Sequence, residues 1–478
     1  MTNKSKILKA SLGYTIGNVL LHCMGIVTLP IFTRLMTTEE YGSYGVFMSF
    51  ASILLSLVSC ALHTSIRSAK IEFGEKINDY TSSVTLVYFF NLIILLILAI
   101  LLPSFACEKI GLNNFQLILL SIYTFGTSIM NLYNTWLSIE YSVSKFIKLS
   151  ILNTIVSLVL SLLLMYTAFN ENRLLGRLLS ITIAVSLVST IALISLFKKS
   201  RPKYNGIYLK FGLRYSFPLI AHGVAQTLLS QFDRIMINSI VGQSEAGIYN
   251  FAGSIKNLLN VISNSLNTVW STWFFEEMSK DNKEKVKRRA SEYCLFVLLL
   301  GVCALCVAPE VVKLLGAEIF WDARYLAPPM VLDSYVMFLY AIIVQPEYYT
   351  KKTHFVLIGT AISAIINIIT NIIFINKYGY VAAAYTTLFA YICYYVFHIY
   401  ISKKAIGFCV VGVFQHLTQG IFIVICAIIC LFCIDIWYIR WGLMIVLSVG
   451  IGLILFRMIS KDGDVSFKSI KEKILHKS

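Results

Sequence analysis

A small set of ionisable residues falls within stretches apolar enough to lie in a bilayer: His22, His222, Lys256 and Asp333, with Asp233 and Arg234 at the outer end of the stretch that holds His222. Arg34 stands at the outer end of one such stretch, and His63 and Arg67 at the inner end of the next. A charge in hydrocarbon is costly and by default marks a pathway. Guanidinium and ammonium groups there suit phosphate or carboxylate, and carboxylates suit a coupling cation. Each His lies twelve residues before its arginine, which is about 18 Å at the helical rise. That spacing predicts His22 and His222 near mid-membrane, as polar lining or as hydrogen-bonded structure. Arg34 can also snorkel to the headgroups. Asp233, beside Arg234, reads equally as a neutralising partner or as an ion-coupling carboxylate, and Asp333 is a second coupling candidate. Lys256, about two turns into its helix, is the hardest of these to explain structurally.

Other chemistry is poorly supported. Thr37-Thr38-Glu39-Glu40 resembles the early acidic pair of some membrane glycosyltransferases, but Thr37-x-x-Glu40 is also a capping box opening a helix. Cys303/Cys306 and Cys430/Cys433 have C-x-x-C spacing inside apolar runs, where free cysteine behaves as a small packing residue. HExxH and glycine-rich phosphate loops are missing from the sequence, so no catalytic residue, metal or cofactor is expected.

The elements that must position these groups are helices in lipid. The 478 residues are 58% hydrophobic and 13% charged, against about 25% charged in soluble proteins. Runs such as Val84–Leu102 and Ser150–Ala168 approach the roughly 20 residues a bilayer core requires. Apolar runs between polar breaks predict spans near 10–33, 44–62, 82–106, 115–139, 149–169, 176–197, 212–232, 247–273, 291–312, 325–346, 353–375, 380–402, 415–434 and 438–458. The first is expected to be retained rather than cleaved as a signal peptide. Pro30, Pro218 and Pro346 read as kinks or local breaks. With the N-terminus inside, the inner loops, tails and inner span ends hold 30 of the 40 Lys and Arg, the outer loops and outer span ends 9, and Lys256 stands deeper within a span. Such a bias predicts cytoplasmic termini and an even number of spans. The net charge of +16 is thereby placed against anionic headgroups, not nucleic acid.

The chain also repeats itself. His22 and Arg34 recur as His222 and Arg234, and Phe32-Thr33-Arg34-Leu35-Met36 recurs as Phe232-Asp233-Arg234-Ile235-Met236. Gly42-Ser43-Tyr44 corresponds to Gly247-Ile248-Tyr249 after a loop five residues longer. Six helices separate the copies, and an even number preserves orientation. The fold class expected is therefore an all-α integral membrane protein of about fourteen spans, with two parallel six-helix lobes (1–200 and 201–405), a trailing helix pair (406–460) and a basic tail (461–478). Parallel repeats are one of the standard transporter designs.

The same residues resemble the Wzx-type polysaccharide flippases, the polysaccharide-transporter branch of the MOP superfamily. GNVLLHCMGIVTLPIFTRLMTTEEYGSYG is similar to that family's first two helices, and YSFPLIAHGVAQTLLSQFDRIMINSIVGQSEAGIYNFAGSI to its seventh and eighth. The resemblance implies a carrier in the bacterial inner membrane that moves undecaprenyl-diphosphate-linked oligosaccharide repeat units, such as those of O-antigen lipopolysaccharide, to the periplasmic leaflet. It implies a cationic central cavity, with Arg34, Arg67, Arg234 and Lys256 as substrate contacts. Membrane lipid, the polysaccharide polymerase and chain-length machinery are the partners it implies.

Three rivals have distinct signatures. A lipid II flippase is a close relative of this design. A cation-coupled multidrug exporter prefers an acidic, aromatic cavity, whereas the buried charge here is mostly positive. A membrane polymerase or glycosyltransferase needs a large outer loop, and an outer loop above about fifty residues would revive that reading.

Overall fold

The computed structural model describes residues 17, 24–103, 107 and 110–460; His22 and the basic tail lie outside them. Among the described residues every regular element is a helix. A helix stands at each of the fourteen expected positions, from Met24–Leu35 to Trp437–Ser460. Eleven are long and apolar enough to cross a membrane. Of the other three, Met24–Leu35 is a shorter apolar helix. Gly206–Ile240 and Gln243–Ser279 have ample length at 35 and 37 residues. Their shortfall is in apolarity, because they carry Asp233, Arg234 and Lys256 among many other polar side chains. Connections described throughout are short, the longest being residues 198–205. No described segment is long enough to build a separate catalytic domain.

Local chemistry sets where helices begin. Thr37 Oγ1 accepts from the Glu40 amide at 3.2 Å, and Glu40 Oε2 accepts from the Thr37 amide at 3.1 Å. That reciprocal pair is a capping box, which satisfies two amides no helical carbonyl can reach. The other Glu40 oxygen accepts from the Leu174 amide at 3.2 Å, so one carboxylate tethers two helix starts. Asn113 and Gln116 build a second such box. Pro346 follows a break at Val344 and opens the short helix Gln345–Tyr349. Within spans, hydroxyls bond back to carbonyls four residues earlier, as at Ser49, Thr124 and Ser180. In lipid a hydroxyl has no water to turn to, so this is the available way to satisfy it.

The described residues form two compact units. The first comprises Met1–Phe251, Leu315–Phe320 and Ile368–Ala383. Its core includes Leu62, Tyr80, Tyr88, Leu132, Tyr133 and Leu137. Several polar tips there are bonded: Tyr80 to Ser65 at 2.6 Å, Tyr133 to Ser195 at 3.0 Å, Trp136 Nε1 to Asn78 at 3.1 Å. The repeat shows in this unit as a reciprocal contact. A Cβ on Gly42 would lie 1.9 Å from the Gln243 carbonyl oxygen, and one on Gly247 would lie 1.9 Å from the Thr38 carbonyl oxygen. The two helix starts therefore touch backbone to backbone, with Thr38 and Ser244 hydroxyls 2.7 Å apart beside them. Only small residues allow helices to approach this closely.

The second unit comprises Ala252–Leu314, Trp321–Asn367 and Ala384–Ser478. Trp270, Phe274, Val302, Leu305, Tyr335 and Phe338 lead its core. Ala327–Tyr349 is its central span, with 83% of its apolar window buried, whereas Trp437–Ser460 has only 6% buried and presents itself to lipid. Cys306 and Cys430, one from each C-x-x-C pair, meet in this core with sulfurs 3.7 Å apart, both as free thiols. Arg440 is fully enclosed, bonded to Glu310 and to the Cys306 and Cys433 carbonyls.

Candidate functional site

Of the polar residues singled out from the sequence, the structure brings Lys256 and Asp333 together in the second unit and sets Asp233 and Arg234 in the first. In the second unit Lys256 Nζ lies 2.7 Å from Asp333 Oδ2. Asp333 is 1% exposed, and the lysine ammonium sits 5.4 Å from the centre of the Tyr391 ring. Ser334 Oγ donates to the other Asp333 oxygen at 3.3 Å. Lys256 also borders an apolar cavity of about 180 Å³ lined by Ala252, Ile255, Val307 and Met330. Two residues with separate expected roles, cation and coupling carboxylate, are thus one buried ion pair. Removing either charge would leave the other stranded, at a cost of about 3–5 kcal/mol.

In the first unit Asp233 is buried and accepts from Tyr249 Oη at 2.8 Å and from Asn371 Nδ2 at 2.7 Å. Arg234 follows it, half-buried, with Nη1 bonded to Gln231 and a buried Nε that has no hydrogen-bond partner. His222, about three turns earlier on the same helix, is half-buried with Nδ1 likewise unpartnered. Arg34 is exposed and bonds the Pro30 carbonyl at 2.8 Å. Arg67 is exposed on the short helix Ile66–Phe73. His22 lies outside the described residues.

Two further polar groupings escaped the sequence reading. His398 Nδ1 and Glu347 Oε1 lie 2.6 Å apart, both fully buried in the second unit. The ring nitrogen Nε2 and the second carboxylate oxygen are left without partners. Nothing in the sequence joins residues 51 apart, and Glu347 follows Pro346 at what reads as the end of a span. In the first unit, Arg177 lines a polar cavity with Asn134, Asn153 and Thr154. Its signal was available in Ser150, Asn153, Thr154, Ser157 and Ser161, which fall on one face of Val143–Tyr166 at helical spacing.

A family model described as "Polysaccharide biosynthesis protein" matches residues 7–278, which takes in both copies of the repeat opening. The chain belongs to the polysaccharide biosynthesis protein family. Protein 1 of the Lsg locus of Haemophilus influenzae is 24% identical over 382 residues, covering 76% of this chain and 89% of that protein. Among solved structures, the inward closed conformation of the lipid II flippase MurJ superposes with a TM-score of 0.73 at 16% identity, covering 95% of this chain and 99% of that one. An inward-facing multidrug resistance MATE family transporter of the MOP superfamily superposes with a TM-score of 0.63 at 13% identity, covering 80% and 94%. At these identities the likeness establishes the fold. This member of the family is therefore a multi-pass membrane protein whose fold is similar to that of the lipid II flippase MurJ and of a MATE family transporter.

Proposed function

We propose that the chain is a flippase that carries undecaprenyl-diphosphate-linked oligosaccharide repeat units from the cytoplasmic to the periplasmic leaflet of a bacterial inner membrane. The buried Lys256–Asp333 pair within a polysaccharide-biosynthesis chain of this fold is the observation that supports it best. A diphosphate-linked glycan cannot shed its water into hydrocarbon, and cations along a polar route replace that water. In this reading Arg34, Arg67, Arg234 and Lys256 are each a contact for the diphosphate or an acidic sugar, with His222 and His22 as polar lining. The anion draws Lys256 from Asp333, and the freed carboxylate takes up a proton or cation. Asp233, held by Tyr249 and Asn371, is a second place for that cation. An inside-negative potential favours outward movement of each negative charge by about 2.3 kcal/mol per 100 mV. In this reading both termini are cytoplasmic, which the excess of Lys and Arg on one side supports. Residues 1–200 and 201–405 act as the alternating halves, and polymerase and chain-length proteins of O-antigen-type assembly receive the product.

The test is deletion of the gene followed by analysis of lipid-linked intermediates. An undecaprenyl-diphosphate repeat unit should accumulate on the inner leaflet, and surface glycan should fall. Unchanged glycan with no intermediate would sink the proposal. Accumulated lipid II instead would favour a second reading, suggested by the fold shared with the lipid II flippase.

A further inference from the structure

Inside the first unit lies a polar cavity of about 410 Å³, within the size range of small-molecule sites. Five helices contribute to it, and only its aromatic walls would be expected of a helix bundle in lipid. Arg177 enters from Arg173–Phe197. Its Nη1 donates to Ser161 Oγ at 2.7 Å and Ser157 Oγ at 3.4 Å, and its carbon Cζ lies 3.9 Å from the centre of the Phe32 ring. Stacking and those two hydroxyls hold the guanidinium plane. Among the described residues no carboxylate pairs with it, and the rest of its fork has no hydrogen-bond partner. A guanidinium keeps its charge at any physiological pH, so the positive charge stands uncompensated. In the same lining, the side-chain carbonyl oxygens of Asn134 and Asn153 are buried with no partner among the described residues. Thr127, Ser150 and Thr154 add hydroxyls, and Tyr44 and Tyr123 add ring faces.

The inventory is a fixed cation with a free planar fork, two idle amides, several hydroxyls and flat apolar walls. A planar fork matches a carboxylate. Amides and hydroxyls match a ring of sugar hydroxyls, and aromatic faces match the apolar face of that ring. We propose that this cavity is a binding site for an acidic sugar, with Arg177 on the carboxylate and Asn134 and Asn153 on ring hydroxyls. This deepens the flippase reading by naming a uronate-type residue as part of the glycan carried. It also sets a recognition site in the first unit apart from Lys256 and Asp333.

The full chain purified in detergent is probed by saturation-transfer NMR with D-glucuronate, D-glucose and acetate in parallel. Glucuronate should give a saturable signal, with glucose and acetate each at least tenfold weaker. Arg177→Met should abolish the glucuronate signal. Asn153→Leu, which removes the amide and leaves the arginine in place, should reduce it at least tenfold, and guards against a folding defect in the first variant. Equal glucose binding, equal acetate binding, or a glucuronate signal that survives both cavity variants would each overturn the proposal. Because the readout is binding, a failed deletion phenotype would refute the flippase reading without touching this result, and the converse holds.

Discussion

Thr33 and Asp233 occupy the same place in the two copies of the repeat, each buried and each followed by an arginine. The threonine satisfies its hydroxyl on the Leu29 and Leu315 carbonyls, both at 3.0 Å. The aspartate engages the Tyr249 hydroxyl and the Asn371 amide. In the register set by Gly42 and Gly247, the second copy places Lys256 where the first has the buried Ala51. The arginines differ as well: Arg34 is exposed, whereas Arg234 is half-buried with an idle Nε. The second copy therefore carries added charge and the partners that charge requires, while the glycines that let the copies touch are kept in both. Scaffold and polarity are separable parts of this repeat.

The largest effect should come from breaking what the copies share. Gly247→Val or Gly42→Val drives side-chain carbon into a backbone carbonyl that cannot move aside. We expect a loss above about 5 kcal/mol, enough to remove folded protein, read by yield and monodispersity in detergent. Next comes charge found only in the second copy. Lys256→Ala should cost about 3–5 kcal/mol in thermal melts, whereas Lys256→Met with Asp333→Leu should melt close to the parent yet fail to complement transport. A double variant as unstable as the single one would mean that packing, not charge, holds this region. The contrast at the residue before the arginine is smaller. Asp233→Asn spoils an acceptor shared by two donors, for about 1–3 kcal/mol, and Thr33→Val should cost about 1 kcal/mol.

The smallest effect lies at the C-terminal end of the helix that carries Lys256. Asn282 and then Lys285 hold the Glu277 carboxyl below its ordinary value of 4.5. A depressed folded-state value means that this contribution is present above pH 4.5 and lost as pH falls through the lower, folded value. Asn282→Ala should raise the Glu277 titration midpoint, followed by carboxyl-selective NMR.

The helices and the repeat were legible because hydropathy and spacing are local properties. Thr37 and Glu40 could be read as a capping box from four residues, and the structure contains that box. Apolarity alone undercounts Gly206–Ile240 and Gln243–Ser279, since the polar residues that make them candidates for function also make them poor membrane segments by composition. Pairings across the fold were not legible. Lys256 and Asp333 each stood out, but nothing local joins residues 77 apart. Arg177 reads from sequence as one more outer-loop cation near Arg173, and only packing shows that it faces the polar stripe of Val143–Tyr166.

The contact between Gly42 and Gly247 is reciprocal, each glycine resting on the helix that carries the other. Reciprocity of this kind is the mark of an isologous interface, in which one surface recognises a copy of itself. A half-length polypeptide bearing one such segment would already present a face complementary to its twin. Fusing two such halves then asks for no new interface, and each is afterwards free to change in every residue except the one its sibling touches.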